Sequence, residues 1–213
     1  MAKRPVIIIG NAGAARECYW ILRKVMQEKE EITFKGFLSF EGYSGNLREL
    51  VHLELGSDDD YTSQGDEFFI IGIGSPVIRA KVWAKWKERK ANFMNLIHPA
   101  CFIPDEICLG EGNIITQACS FSCNVTVGDA NYFNGGVVVG HDAHIGSANF
   151  FGTYSLLAGN TVVGSRNSFG VGAVVLESAK IGNNNTIAPG AFIYKGCGDN
   201  TIMAGNPALR VDV

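Results

Sequence analysis

An Ile, Leu, Val or Phe residue occupies every sixth position from Ile103 to Ile193, and nothing interrupts the count. A period of six matches neither the roughly 3.6-residue turn of an α-helix nor the two-residue alternation of a single strand. It fits a coil with three flat sides, in which eighteen residues complete one turn and successive turns stack as short parallel strands. The pattern predicts a left-handed parallel β-helix in preference to a β-sandwich, whose loops would vary in length.

Glycine returns once per predicted turn of this coil. It occupies five positions spaced by eighteen residues, which are Gly110, Gly128, Gly146, Gly164 and Gly182. We predict that these glycines stand at corners, where they adopt backbone angles that other residues avoid. The residue two places before each period-six position is small or slender, which also helps a corner to turn.

Charge and cysteine content restrict the possible functions. The 213 residues carry a net charge of −3 with 18% charged side chains, so the sequence indicates no basic surface for nucleic acid. The N-terminal MAKRPVIIIG contains an apolar run too short for a signal peptide or a membrane span. The six cysteines show no metal-binding spacing, and we interpret them as reduced thiols in a cytoplasmic protein.

Residues 1–96 show the strand and helix alternation of a small Rossmann-like α/β domain, which precedes a β-helix domain over residues 97–213. Val6–Ile9 is an unbroken β-branched run, typical of a buried parallel strand. The other predicted elements are helices over Arg16–Glu28 and Pro76–Lys90, strands over Thr33–Leu38, Phe68–Ile73 and Phe93–Ile97, a turn over Glu41–Gly45, a short helix or loop over Asn46–Val51, and an exposed polar segment over Ser57–Asp66.

Gly10 and Gly13 mark the turn between the first strand and the first helix. In this geometry, backbone N–H groups at the start of a helix can receive a phosphate. The GxxG spacing is weaker than a full dinucleotide fingerprint, and a tight turn alone would also favour glycine. Phosphate binding and plain turn formation therefore stay open as alternatives here.

His141 follows the inward-facing Val139 by two positions, so its side chain is predicted to point out from the shaft, and Asp142 comes next. Acyl transfer from a thioester needs a base for the attacking amine or hydroxyl, and histidine suits this task at neutral pH. A neighbouring carboxylate fixes the imidazole tautomer. The alternative is an ordinary exposed histidine on a β-helix face.

Gly159 lies eighteen residues after His141, so the stack places the two in successive turns, about 5 Å apart. Its backbone N–H is a candidate donor to the oxyanion of a tetrahedral intermediate. Gly159 is out of phase with the five corner glycines, and their role does not explain it.

The whole chain resembles a known group of enzymes. The order is a glycine-turn α/β domain, then LIHPACFIPDEICLGEG, unbroken hexads with VVVGHDAHIG, and AGNPALRV. This is similar to the hexapeptide-repeat acetyltransferases of nucleotide-activated amino sugars, the bacillosamine and perosamine N-acetyltransferases, with sialic acid O-acetyltransferases as relatives. The resemblance implies an acetyl-CoA-dependent N-acetylation of a nucleotide-linked 4-amino-4,6-dideoxy hexose for surface glycans. It also implies a homotrimer with active sites between subunits and no metal.

The resemblance also assigns individual residues. His141 is the base, Asp142 its acidic neighbour, and Gly159 the oxyanion donor. The coenzyme A groove, between neighbouring subunits, is lined by Phe150, Gly159, Val171, Pro189 and Gly190, with Phe150 where a histidine is often found. Asn134 lies near the acceptor sugar, although a polar corner residue would look the same. The nucleotide positions are Gly10, Ala12, Gly13, Ala14, Ser39, Phe40 and Gly74, and Arg79 also matches the pattern.

Two of these nucleotide positions depart from the family. Ala14 replaces its usual histidine, and Ser39-Phe40 replaces its Asp-Asp pair. Either the nucleotide is read differently, with Phe40 stacking on the base, or the acceptor is not the usual UDP-sugar.

Three alternatives to amino-sugar N-acetylation are open. The first is O-acetylation of a sugar or of sialic acid. The second is a trimeric β-helix carbonic anhydrase, in which His141 and His144 would contribute zinc ligands, although their HxxH spacing departs from the usual one. The third is a non-catalytic scaffold that binds a nucleotide sugar.

Overall fold

The structure, a computed structural model, describes residues 3–40 and 45–211. Two parts follow one another along the chain: a parallel sheet with helices, and a long stack of very short strands. The predicted turn Glu41–Gly45 lies, apart from Gly45, outside the described residues.

The N-terminal part is a parallel sheet of five strands in the order β3-β2-β1-β4-β5. Its elements are β1 (Arg4–Ile9), α1 (Gly13–Glu28), β2 (Ile32–Ser39), a 3₁₀ helix (Arg48–Leu53), β3 (Glu54–Ser57), β4 (Phe68–Ile71), α2 (Pro76–Glu88) and β5 (Asn92–Phe93). Residues 6–9 of the central strand β1 are fully buried, because α1 covers one face of the sheet and α2 the other.

Some details of this domain differ from the sequence prediction. α1 begins at Gly13 rather than Arg16, because the residues after the glycine turn are already helical. The strand predicted over Phe93–Ile97 is split: β5 ends the domain's sheet, whereas Leu96–Ile97 pairs with the β-helix. The sequence pattern also misses β3, which pairs with β2 at the edge of the sheet.

The segment predicted to be exposed, Ser57–Asp66, contains one fully buried carboxylate, that of Asp58. Asp58 Oδ2 accepts hydrogen bonds from Lys85 Nζ at 2.7 Å and Trp86 Nε1 at 3.2 Å. The loop is therefore fastened to α2, and the prediction of a solvated segment is wrong at this residue.

The second part is a left-handed β-helix with three flat faces, as predicted. Face A consists of β6 (Leu96–Ile97), β8 (Ile114–Ile115), β11 (Tyr132–Phe133), β14 (Phe150–Phe151), β17 (Ser168–Phe169), β20 (Thr186–Ile187), β23 (Ile202–Gly205) and the antiparallel β24 (Ala208–Arg210). Face B consists of β9 (Ser120–Phe121), β12 (Val138–Val139), β15 (Leu156–Leu157), β18 (Val174–Val175) and β21 (Phe192–Ile193). Face C consists of β7 (Cys108–Leu109), β10 (Thr126–Val127), β13 (His144–Ile145), β16 (Val162–Val163), β19 (Lys180–Ile181) and β22 (Gly196–Cys197). The chain passes from face A to B to C, so the prism has an A–B, a B–C and a C–A edge.

The period-six side chains fill the shaft. All of them from Ile115 to Ile193 are buried, whereas Ile103 and Leu109 in the first turn are half-buried. Three successive phenylalanines, Phe133, Phe151 and Phe169, stack with centroids 4.7 and 4.8 Å apart. This spacing matches the distance between neighbouring strands, so the interior repeats in register with the backbone.

The five corner glycines are needed for a reason other than the predicted one. None of them has a positive φ; the left-handed residues instead recur at every sixth position from Gly112 to Gly190. A Cβ on Gly146 would lie 2.6 Å from Ser165 Oγ and 2.7 Å from the carbonyl oxygen of Gly164 in the next turn. Glycine is required here because stacked turns approach closely at the C–A edge.

Buried asparagines form a ladder along the same edge. They occupy one position in successive turns, at Asn113, Asn131, Asn149, Asn167 and Asn185. Asn149 Nδ2, for example, donates to Asn131 Oδ1 at 3.0 Å and to the carbonyl oxygen of Gly164 at 2.9 Å. Because such buried amides need partners, the ladder fixes the register of the turns.

The two parts share one core. The apolar stripe of α1 packs against Leu96, Ile114 and Tyr132 on face A. Tyr132 also donates its hydroxyl hydrogen bond to Glu17 of α1. The N-terminal domain is thereby fixed on face A.

Arg79 of α2 joins the two parts a second time. Its fully buried guanidinium donates to the carbonyl oxygens of Ile71, the last residue of β4, and of Ile73. It also donates to those of Gly112, Ala130 and Asn131 in the β-helix. Burial lowers the pKa of Arg79 to about 10, so the group remains charged at neutral pH. Arg79 matches a position in the nucleotide-binding part of the family's pattern. Its N–H groups, however, all donate to backbone carbonyl oxygens where the two domains meet.

Candidate active site

His141 stands on the B–C edge, in the turn that leads from β12 to β13. Its side chain is half exposed, as the outward phase of the hexad predicts. Ala143, two residues on, is buried in the shaft, so the backbone returns to the interior directly after the turn. The imidazole is therefore accessible to a substrate while its backbone is held by the coil.

Asp142 carries the imidazole's hydrogen-bond partner. Its Oδ2 accepts from His141 Nδ1 at 2.8 Å, an arrangement possible between chain neighbours because Asp142 has a left-handed backbone with φ of 57°. Its Oδ1 accepts from Asn124 Nδ2 at 3.1 Å. The hydrogen bonds from His141 and, secondly, Asn124 lower the pKa of Asp142, so it is ionised at neutral pH. A carboxylate only accepts, so Nδ1 carries the hydrogen and Nε2 of a neutral imidazole is left as the base.

Gly159 lies against this imidazole, one turn further along the same edge. A Cβ on Gly159 would lie 2.6 Å from both Cε1 and Nε2 of His141. Any other residue would displace the ring, which explains a glycine that the corner series does not require. The predicted approach of the histidine and the Gly159 backbone therefore exists in the structure.

The Gly159 N–H makes no hydrogen bond to any residue within 3–40 and 45–211. The N–H groups at the same position of other turns, such as Cys123 and Glu177, are also unpaired within those ranges. A free donor is thus a general property of this corner. At Gly159 it occurs beside a base, which is the combination that acyl transfer needs.

Other predicted site residues lie on a different edge. Asn134, Val171, Pro189 and Gly190 all belong to the A–B edge, between faces A and B. Asn134 Oδ1 accepts from the N–H of Gly135 at 2.8 Å, and Val171 is 57% exposed. Within one chain, these residues do not share an edge with His141.

Phe150 lies on face A, between the two parts of the chain. Its ring is 5.4 Å from that of Tyr132, and a Cβ on Gly74 would be 3.5 Å from it. Phe150 and Gly74, predicted for the coenzyme and nucleotide respectively, are thus in contact with each other. The carboxyl end of the N-terminal sheet therefore opens beside β14.

The predicted nucleotide residues gather at that carboxyl end. Gly10 has a φ of 128° directly after β1, and Ala12–Ala14 form the start of α1. Arg16 folds back to this turn: its Nη2 lies 3.8 Å from a Cβ placed on Gly13. Its Nη1 is buried with no hydrogen-bond partner among the described residues. This supplies a cation that the sequence analysis does not assign.

Ser39 is the last residue of the neighbouring strand β2, and Phe40 follows it. Ser39 Oγ donates to the carbonyl oxygen of Gly56 at 3.1 Å. The Lys85 Nζ lies 5.8 Å from the centroid of the Phe40 ring, so one face of that ring is occupied by a cation. Phe40 is therefore held in place at the edge of the sheet.

Within the described ranges, no group of three or more His, Cys, Asp or Glu side chains is arranged to hold a metal ion. One chain accordingly offers no ligand set for the zinc alternative. In the same ranges, no helix has the length and apolar character needed to cross a bilayer. The cysteines of the described chain are all free thiols.

Comparison with solved structures confirms the resemblance to nucleotide-amino-sugar acetyltransferases. The perosamine N-acetyltransferase of Caulobacter crescentus, solved with CoA and GDP-perosamine, superposes with a TM-score of 0.88 and 26% identity over 98% of this chain and 97% of that one. That structure carries a histidine-to-asparagine substitution, and another, with a TM-score of 0.87, carries histidine-to-alanine.

Two further structures share the fold. The acetyltransferase domain of PglB from Neisseria gonorrhoeae has a TM-score of 0.87 at 19% identity, over 98% of this chain and all of that one. WeeI from Acinetobacter baumannii has a TM-score of 0.82 at 20% identity with the same coverage. No protein-family profile and no curated protein sequence matches the chain.

Proposed function

We propose that this protein transfers the acetyl group of acetyl-CoA to the amino group of a nucleotide-linked amino sugar, a 4-amino-4,6-dideoxy hexose, in surface glycan biosynthesis such as that of O-antigen or lipopolysaccharide. The observation that carries the proposal is the meeting of His141, Asp142 and Gly159 on one edge. Support for the substrate class comes from the Caulobacter enzyme, which binds CoA and GDP-perosamine in the same fold.

The geometry suits a direct transfer between the two substrates. His141 Nε2 takes the proton as the sugar nitrogen attacks the thioester carbon, and Asp142 stabilises the imidazolium that forms. The Gly159 N–H donates to the oxyanion of the tetrahedral intermediate. The carbon–sulfur bond then breaks, and the leaving thiolate of coenzyme A takes the proton from His141 Nε2, which restores the neutral imidazole. No enzyme-bound acyl group is needed.

We further propose a homotrimer whose active sites lie between subunits. The N-terminal domain sits on face A, and the B–C edge with His141 is the edge opposite to that face. A sugar held by the N-terminal domain is therefore directed away from His141 of its own chain. From β12 to β21, the outward residues of face B, next to the His141 edge, are the apolar Val138, Leu156, Val174 and Phe192, which suits burial against another subunit.

This arrangement also brings the predicted coenzyme residues, and Asn134 predicted for the acceptor sugar, toward His141. A second subunit that brings its A–B edge toward His141 would place Asn134, Val171, Pro189 and Gly190 beside the reacting groups. Phe150 is the least well placed of the set, because its half-buried ring packs against Tyr132 of its own chain. We propose a cytoplasmic location, supported by free cysteines and by the absence of a membrane-spanning helix in the described ranges.

Mixed oligomers test the site between subunits. His141→Ala removes the base, and Gly13→Glu places a carboxylate at an exposed turn position where only Arg16 is near, which repels a nucleotide phosphate. Each variant alone is expected to be inactive. Because each site combines residues from two chains, random mixing of equal amounts should restore about one quarter of wild-type activity. No recovery, with mixed trimers demonstrated by mass, would place the whole site within one chain.

A substrate panel tests the reaction itself. Purified protein is supplied with acetyl-CoA and with UDP-, GDP- and dTDP-linked 4-amino-4,6-dideoxy hexoses, and release of coenzyme A is measured with the acetylated product identified by mass. Turnover of at least one amino sugar is expected. The matched 4-hydroxy sugars and sialic acid serve as controls, since acetylation of these alone would favour the O-acetyltransferase alternative. Absence of turnover with every acceptor would favour a binding scaffold.

A further inference from the structure

Asn124 stands one turn before Asp142 on the B–C edge, and neither sequence motifs nor the resemblance assign it a role. We propose that Asn124 is a positioning residue for the reaction: its amide holds the Asp142 carboxylate in the orientation that presents Oδ2 to His141. This inference rests on the proposed roles of His141 and Asp142, and it adds a third member to their hydrogen-bonded chain.

The contacts divide the two carboxylate oxygens of Asp142 between two partners. Asn124 Nδ2 donates to Oδ1 at 3.1 Å, and His141 Nδ1 donates to Oδ2 at 2.8 Å. The carboxylate is therefore tied on both sides, and rotation about its last bond would break both hydrogen bonds. The Asp142 side chain is 45% exposed, so packing alone does not fix this rotation.

The backbone places Asn124 for this contact. Asn124 and Asp142 both have a φ of 57° and occupy the same corner position in successive turns. The N–H of Asp142 donates to the carbonyl oxygen of Cys123 at 3.1 Å, which sets the spacing between the two turns. Asparagine suits the position for two reasons: it tolerates a left-handed backbone, and its side-chain amide can donate a hydrogen bond.

The turn on the other side of Asp142 does not supply an equivalent contact. Asn160 occupies the same corner position there, but its Nδ2 lies 3.4 Å from Glu177 Oε1, a residue one turn further on. Among the described residues, the charged or titratable groups that influence Asp142 are His141 and His144. Asn124 is thus the one neutral donor that holds the carboxylate, and its loss leaves the acid held by the imidazole alone.

Two substitutions distinguish loss of the amide donor from a change in the backbone conformation at position 124. Asn124→Asp keeps the shape and the tolerance for a left-handed backbone, but it replaces the donor by a second carboxylate facing Asp142. Asn124→Gly keeps the backbone and removes the side chain. Each is expected to lower kcat about 10-fold, a part of the usual contribution of a general base, with the KM for acetyl-CoA changed less than about twofold. In Asn124→Asp the acidic limb of the pH–rate profile should also move to higher pH, because the added negative charge favours the imidazolium.

The His141 tautomer gives a readout that a merely structural role would not move. In ¹⁵N-histidine-labelled wild-type trimer, the resonances of His141 should report hydrogen on Nδ1, and in Asn124→Gly a mixture of both tautomers. Asn184→Gly is the matched control, since Asn184 has the same φ of 57° but lies on the C–A edge, where its side chain accepts from Arg166. That control should leave kcat and the His141 spectrum unchanged.

Each other outcome overturns the inference. If both Asn124 variants keep kcat within about twofold, the amide does not position the acid. If kcat falls while the tautomer and the pH profile stay as in wild type, Asn124 only supports the fold. These results differ from a failure of the proposed function, which would show as an active His141→Ala enzyme.

Discussion

His141→Ala is expected to lower kcat by about 100-fold or more, while the protein stays folded and keeps the oligomeric state of the wild type. The imidazole is half exposed, and its one side-chain hydrogen-bond partner among the described residues is the half-exposed Asp142, so its removal opens no cavity in the shaft. Its removal takes away the base but leaves Gly159 and the substrate surfaces intact. Steady-state turnover with saturating acetyl-CoA and the best acceptor from the panel measures the loss, and size-exclusion chromatography checks the assembly.

His144→Ala is the control for this experiment. His144 is also an exposed histidine of the same segment, on β13, but it donates to no group of the proposed mechanism. Its substitution should change kcat by less than about threefold. If His144→Ala is as inactive as His141→Ala and the wild-type protein contains zinc, these results would favour the carbonic anhydrase alternative. If His141→Ala is fully active, His141 is not the base.

Arg79→Met should destabilise the protein by about 3–5 kcal/mol, the largest effect that we expect of one substitution on folding. Methionine retains much of the volume of the arginine stem but donates no hydrogen bond. The carbonyl oxygens of Ile73, Gly112 and Ala130 would lose the one donor that they have among the described residues. Each buried unpaired carbonyl costs about 1–3 kcal/mol. Thermal unfolding should show a midpoint lowered by about 10 °C for a chain of this size.

Lys81→Met provides the comparison on the same helix, because Lys81 is exposed and its substitution should move the midpoint by about 1 °C or less. Arg79→Lys distinguishes charge from geometry. Lysine keeps the charge but lacks the planar fork that reaches both domains, so it should also be strongly destabilising. A wild-type midpoint in Arg79→Met would show that the docking of the domains does not depend on this side chain.

The phase of the β-helix could be predicted from the sequence in detail. The period of six determines which side chains enter the shaft. The length of eighteen residues per turn determines which residues lie beside each other in the stack. These two counts are enough to bring Gly159 against His141 and to set His141 outward. The same arithmetic would have paired Asn124 with Asp142, because they are also eighteen residues apart.

The physical reason why a position requires a particular residue type was harder to predict than the position itself. The glycines of the C–A edge have ordinary backbone angles, and they are required because the next turn lies too close for a Cβ. The burial of Asp58 depends on Lys85 and Trp86 of α2, which follow it by 27 and 28 residues. The eighteen-residue spacing of the glycines marks their position but not this cause, and the contacts of Asp58 leave no periodic mark along the chain.

The sequence by itself therefore determined the coil, its phase and the pairing of groups along one edge, because a strict repeat converts separation along the chain into distance in space. Only the tertiary structure decided how the α/β domain docks. Arg79 and α1 fasten it to face A, and this leaves the His141 edge on the far side of the prism. Such docking depends on side-chain packing between segments that share no period, so the placement of the N-terminal domain and His141 on opposite sides of the prism could be seen only in three dimensions.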